Sequence, residues 1–221
     1  MHEFCQRREA GDVFVLRGNC QQSGNTGAFH PFIEVVRTSF RIAARESQET
    51  AADKLRRGIE VLGGDATEGV PYLLNLLGYP VTGADFTKEN AEVAGIRTRD
   101  LLADLLRERC ESSEVLLVME DLHWIDTNSE ELLLRIIGGE RRLMVLCNFR
   151  PQYAAPWASN ENTTELRVVP LSGHSTENLL LHRLGVEKLS SGLTDFVVEK
   201  SEGNPLFAEE ITNYFLERGV L

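Results

Sequence analysis

Glu120 and Asp121 are adjacent carboxylates that follow directly on the apolar run Val115-Leu116-Leu117-Val118-Met119. A short apolar run with β-branched members suits a strand buried on both faces of a parallel sheet, and acids at its carboxyl end lie where open α/β sheets bind ligands. One carboxylate there can hold the water shell of Mg2+ while its neighbour orients and polarises a water, as phosphoryl transfer to water requires. Neighbouring side chains on a strand point to opposite faces, so both acids serve one site only where the strand is ending. A solvated acidic turn is the plainer alternative. Against it, His123 and Trp124 just beyond favour a structured surface.

The surrounding residues extend or limit this chemistry. Glu120, Asp121, His123 and Asp126 together suggest a metal-hydrolase cluster, but a dedicated zinc site draws on several histidines or cysteines. His2, His30, His174 and His182 have no paired spacing with His123, which reads instead as a packing or hydrogen-bonding residue. Arg150 follows the apolar run Leu143 to Phe149. At the same sheet edge its guanidinium would contact a terminal phosphate, while a surface arginine beside Pro151 fits as well. Gly203-Asn204-Pro205 is accounted for by a turn and a helix start alone. A phosphate loop, Gly-x-x-x-x-Gly-Lys-Ser/Thr, is missing, since none of the 18 glycines precedes a lysine.

Strands alternating with helices must position these residues. The first eight or nine residues read as the tail of a helix stopping at Gly11, and Val13 to Leu16 as a short buried strand. After a polar loop from Gln21 to Ala28, Phe32, Val35, Val36, Phe40 and Ala43 recur at helical spacing, and Leu55, Ile59 and Leu62 form a second helix ended by Gly63-Gly64. Tyr72 to Leu77 is a further short apolar segment, and from Lys88 to Cys110 an amphipathic helix leads into the Val115 strand. Thr127-Asn128-Ser129-Glu130 fits a capping box, with Thr127 bonding the first free amides and Glu130 reaching back. Leu143 to Phe149 is another strand and Leu166 to Val169 a weaker one, so a parallel sheet is expected. Beyond Leu171 the pattern is helical: Thr176 to Leu184, Leu193 to Lys200, and Phe207 to Arg218 opened by Asn204 and Pro205. The expected division is an α/β core over 1–171 and a helical subdomain over 172–221.

With 221 residues and 42% hydrophobic content, the chain can build an ordinary core. Its net charge of −11 argues against nonspecific binding to nucleic acid. Cys5, Cys20, Cys110 and Cys147 form no Cys-x-x-Cys pair and read as reduced structural thiols. No apolar run reaches the roughly 18 to 20 residues of a membrane helix, and the amino terminus lacks a secretory signal's apolar segment. A cytoplasmic protein with no membrane contact is expected.

Taken together, these segments resemble the ATPase modules of the AAA+ and STAND superfamily. They are most similar to those joined to a class III adenylate or guanylate cyclase, or to a LuxR-type DNA-binding output domain, with tetratricopeptide repeats. The resemblance rests on Phe14-Val15-Leu16-Arg17-Gly18-Asn19-Cys20, Phe29-His30-Pro31-Phe32, Glu120-Asp121-Leu122-His123-Trp124-Ile125-Asp126, Arg150-Pro151, and Gly203-Asn204-Pro205-Leu206-Phe207 followed by Glu209-Glu210. It implies a parallel-sheet, P-loop NTPase-like α/β core with ATP and Mg2+ as cofactors. By that resemblance Glu120 and Asp121 would form the Walker B pair, sharing Mg2+ coordination and water activation, with Glu120 as the metal-binding acid. The resemblance likewise implies that Arg150 takes the place of the sensor on the following strand, with Asn148 a second candidate, and that Gly203, Asn204 and Pro205 belong to a Gly-x-Pro motif packing against the adenine.

The resemblance also implies a first strand and phosphate loop preceding His2, so the chain reads as an internal fragment of a larger regulator. The absent strand would lie between the Leu143 and Leu166 strands, which leaves edges that invite aggregation and poor stability. Two functions follow: an ATP-hydrolysing signalling module, inactive as this fragment, or a noncatalytic interaction domain whose nucleotide site has degenerated. Cyclase catalysis itself uses a separate domain that no segment here resembles.

Overall fold

The computed structural model describes residues 2–9, 13–22, 27–81, 91–139 and 141–218. Three parallel strands, β1 (Val13–Asn19), β2 (Glu114–Glu120) and β3 (Leu143–Cys147), lie side by side in that order. Leu16 pairs with Leu117, and Leu117 with Val145. In the central strand Val115 to Met119 are at most 2% exposed, as a strand covered on both faces must be. Side-chain alternation sorts the sheet into two surfaces. Phe14, Leu16, Val115, Leu117, Met119, Val145 and Cys147 face the main core, whereas Val13, Val15, Leu116, Val118 and Leu146 pack around Cys5 of α1 (His2–Glu9).

The main core is completed by α2 (His30–Ser39), α3 (Gln48–Val61), α4 (Ala66–Leu76), α5 (Ala91–Ser112) and α6 (Thr127–Ile136). Leu55, Ile59, Leu73, Leu132 and Leu133 are fully buried, each contributing about 1.5–3 kcal/mol of apolar burial. The short apolar segment Tyr72 to Leu77 proves to be the second half of α4. That helix starts at Asp65, whose carboxylate accepts the Thr67 and Glu68 amides at 2.8 and 3.3 Å. Helix α2 lies so close on β1 that a Cβ at Gly18 would stand 2.7 Å from the Pro31 carbonyl oxygen.

The chain divides into two compact units, Met1–Thr163 and Thr164–Leu221. In the second, α7 (Gly173–Leu184), α8 (Ser191–Ser201) and α9 (Pro205–Glu217) pack around Leu180, Val197 and Ala208. No described helix is long and apolar enough to cross a membrane.

Two sequence expectations are corrected. Leu166 to Val169 form no strand, and Leu166, Val168 and Val169 are 81%, 95% and 68% exposed. Apolar, β-branched residues make a strand only where their backbone groups find a ladder, and among the described residues β3 has no strand on its outer edge. The capping box at Thr127 is not formed either, because the cap of α6 is Asp126. Its Oδ1 accepts from the Ser129 amide at 3.0 Å and the Phe29 amide at 3.1 Å. Its Oδ2 accepts from the Ser129 hydroxyl at 2.7 Å and the His30 amide at 3.2 Å. Glu130 is left for another partner, Tyr153, whose hydroxyl donates to it at 2.6 Å.

One carboxylate thus bolts the start of α2 to the start of α6. Replacing it, Asp126→Ala, is expected to cost about 2–4 kcal/mol in urea denaturation, with Asp126→Asn losing less because its amide oxygen still accepts. A loss below about 0.5 kcal/mol for the alanine variant would show that the clamp carries little of the fold.

Cys20, one residue past β1, and Cys147, the last residue of β3, lie on the core side, and burial pushes both thiols up to about 12. For Cys20 the Asp126 carboxylate adds to the rise. Unfolded thiols ionise near about 8.5, so this contribution to stability is complete below that pH and is lost as the pH climbs toward 12. At about pH 8.5 iodoacetamide should label these two thiols at least roughly tenfold more slowly in the native chain than in urea. Equal rates would contradict their burial.

Candidate functional site

The carboxyl edge of the sheet is fixed by backbone bonds from both neighbours of β2. The Cys20 amide donates to the Glu120 carbonyl at 2.9 Å, from the β1 side. From the β3 side, Asn148 engages residues 119 to 122 through both its backbone and its side chain. Its amide donates to the Met119 carbonyl at 3.2 Å, its carbonyl accepts from the Leu122 amide at 3.0 Å, and its side-chain Oδ1 accepts from the Asp121 amide at 2.7 Å. Asp121 therefore sits in a left-handed turn, φ 57° and ψ 43°. That conformation costs an ordinary residue about 1 kcal/mol and an aspartate less. Leu122, fully buried, anchors the 3₁₀ turn Leu122–Trp124 that follows.

Here the strand does end at the two acids, as a shared site demands. By alternation Glu120 continues the Leu116 and Val118 row, and the left-handed turn at Asp121 breaks the alternation. Glu120 is half-buried, while Asp121 and Arg150 are exposed, and among the described residues none of these three side chains has a hydrogen-bond or ion-pair partner. Asn148 is brought against Asp121, and Arg150 lies two residues farther along, where its carbonyl accepts from the Tyr153 amide at 3.0 Å.

The segment after β3 is held by groups that sequence reading passed over. Phe149, Tyr153 and Trp157 form an aromatic row, with centroids 5.4 and 6.4 Å apart, and the Tyr153 hydroxyl ties the row to Glu130 on α6. Burial and the Glu130 hydrogen bond both push that hydroxyl's pKa upward, so it stays a donor. The four-residue spacing of these aromatics was the available signal.

His123 faces Trp124 with ring centroids 5.0 Å apart, and both its ring nitrogens are buried without a partner among the described residues. The metal-hydrolase alternative lacks a donor set: no three His, Cys, Asp or Glu side chains converge among the described residues, and Asp126 is engaged in its clamp. Mg2+ asks for less, since it keeps several waters and takes one or two carboxylates beside substrate phosphates. Glu120 and Asp121 fit that requirement.

Gly203, Asn204 and Pro205 lie in the second unit and form the turn that opens α9. Gly203 has φ 75°, and a Cβ there would stand 2.5 Å from the Leu171 carbonyl oxygen. Asn204 caps α9 through the Leu206 amide at 3.0 Å, and Pro205 takes the first helical position. Backbone geometry explains all three residues.

The AAA ATPase domain family matches residues 1–146, and a second family, described as a domain of unknown function, matches residues 172–220. An uncharacterized protein of Rhizobium meliloti (strain 1021) is 28% identical over 226 residues, covering 97% of this chain and 21% of that protein. The chain thus spans about a fifth of that curated relative's length. No solved structure matches. With the acids at the end of the central strand and a family match over most of the first unit, the chain belongs to the AAA ATPase domain family.

Proposed function

We propose that this chain is the ATP-binding and ATP-hydrolysing regulatory module of a larger signalling protein. The observation that carries the reading is Glu120-Asp121 ending the central strand with Asn148 gripping the turn, in a chain of the AAA ATPase domain family. Mg2+, when bound, would neutralise charge developing on the transferred phosphate. Glu120 would hold its water shell and Asp121 would orient and deprotonate the attacking water. Asn148 keeps Asp121 in its turn, and Arg150 reaches toward the terminal phosphate as sensor. Gly203, Asn204 and Pro205 are assigned to the adenine side by resemblance alone.

The reading extends to a parallel strand and phosphate loop from outside these 221 residues, paired with the outer edge of β3. What supports it is that this edge has no ladder among the described residues and that no glycine precedes a lysine. Resemblance to STAND regulators suggests a cyclase, a DNA-binding output domain or tetratricopeptide repeats as the other domains. The second reading, a noncatalytic protein-interaction domain with a degenerate nucleotide site, is favoured by the same missing Gly-Lys step.

Because the loop's amides and lysine supply most phosphate contacts, the 221-residue chain is expected to bind Mg-ATP weakly, with Kd above about 1 mM by calorimetry. Micromolar binding would overturn the proposed external loop. In the intact protein, Asp121→Asn should preserve nucleotide binding and slow turnover by about 10²-fold or more, since asparagine also accepts the left-handed turn. Unchanged turnover would remove Asp121 from the chemistry and favour the noncatalytic reading.

A further inference from the structure

At the opposite, amino-terminal edge of the sheet, the end of α2, the middle of α3 and the last turn of α5 enclose an open cleft of about 370 Å³. It lies roughly 20 Å from the acids, the length of the seven-residue β1 at about 3.3 Å per residue. Its lining includes Phe40, Arg41, Lys54, Arg57, Gly58 and Arg109. A chain of net charge −11 therefore gathers four cations around one small concavity.

Among the described residues, three of those cations lack an anion. Lys54 is committed, donating to Glu46 and to the Arg41 carbonyl at 2.6 and 2.7 Å. Arg41, Arg57 and Arg109 have no side-chain hydrogen bond or ion pair among the described residues. Arg109 is half-buried, with its guanidinium carbon 4.6 Å above the Phe14 ring, and loss of water lowers its pKa. A partly desolvated guanidinium that rests on a ring but has no anionic partner among the described residues is still costly, and an anion lowers that cost.

The walls are also shaped for access. Arg41 holds a left-handed backbone, φ 54°, that an arginine adopts only when the surroundings force it. The Lys54 bond to its carbonyl is part of that constraint. Gly58 leaves room for the Phe40 ring to lie flush on α3, because a Cβ at 58 would stand 2.4 Å from Phe40 Cδ1.

We propose that this cleft binds a compact polyanion carrying two or more phosphate groups, held by Arg41, Arg57 and Arg109. Its volume is that of a small-molecule site, and planar guanidiniums pair with phosphate oxygens in two-pronged fashion. The site is separate from the carboxyl-edge acids and needs neither Mg2+ nor those acids.

Calorimetric titration of the 221-residue chain with inorganic pyrophosphate, in buffer containing a chelator, tests it. Saturable binding is expected that weakens with added salt. Arg57→Gln and Arg41→Gly should each lower affinity about five- to tenfold, while Arg56→Gln, on the same helix but paired with Asp53, should change it less than about twofold. Arg41→Gly suits its left-handed backbone, so thermal denaturation should show it at least as stable as the parent. No saturation by about 10 mM pyrophosphate would overturn the proposal. So would equal losses from Arg56→Gln and Arg57→Gln, or binding of a hexaglutamate peptide in place of pyrophosphate.

Discussion

The carboxylate of Asp126 is the constraint on which the first unit turns. It takes four donors from two places far apart in sequence: the Phe29-His30 step that opens α2, and Ser129 at the first turn of α6. Helix starts present unsatisfied amides, and a carboxylate satisfies them more strongly than a neutral cap. Because one side chain serves both starts, the angle of α2 over β1 and of α6 after β2 cannot be set independently. Leu132, Leu133, Phe32 and Val36 then meet in one core.

That arrangement leaves the carboxyl edge of β2 accessible while fixing its backbone. Glu120 and Asp121 are held by main-chain bonds on both sides, with their carboxylates outside the network. A scaffold of this kind leaves acids at a strand end available for a ligand, because among the described residues no cation pairs with them. Tyr153, bonded to Glu130, similarly keeps the segment carrying Arg150 against α6.

Much of this was legible in the residues. The Val115 run announced a doubly covered strand and Asn204-Pro205 announced a helix start, each through local physics that tertiary packing leaves intact. What sequence could not give were choices between equivalent partners. Asp126 and Thr127 are both good caps, and only the proximity of Phe29, 97 positions away, decides for the longer-reaching carboxylate. The strand expected at Leu166 had the right composition, but pairing is a property of neighbours, and none stands there among the described residues. For the candidate site, the two acids could be read from the sequence, whereas the role of Asn148 could not. Its contribution is a contact to the Asp121 amide rather than a pattern.

Asn148 has a mechanical consequence. With its amide, carbonyl and side-chain oxygen all engaged by residues 119 to 122, the tips of β2 and β3 are riveted together. A force that slides or tilts β3 cannot be absorbed by a loose side chain. It is delivered to the peptide at Asp121, in the same stroke that carries the Arg150 segment. The backbone at Asp121 is thus tied to the tip of β3, whose outer edge carries no strand among the described residues, so a segment pairing with that edge would bear directly on the turn.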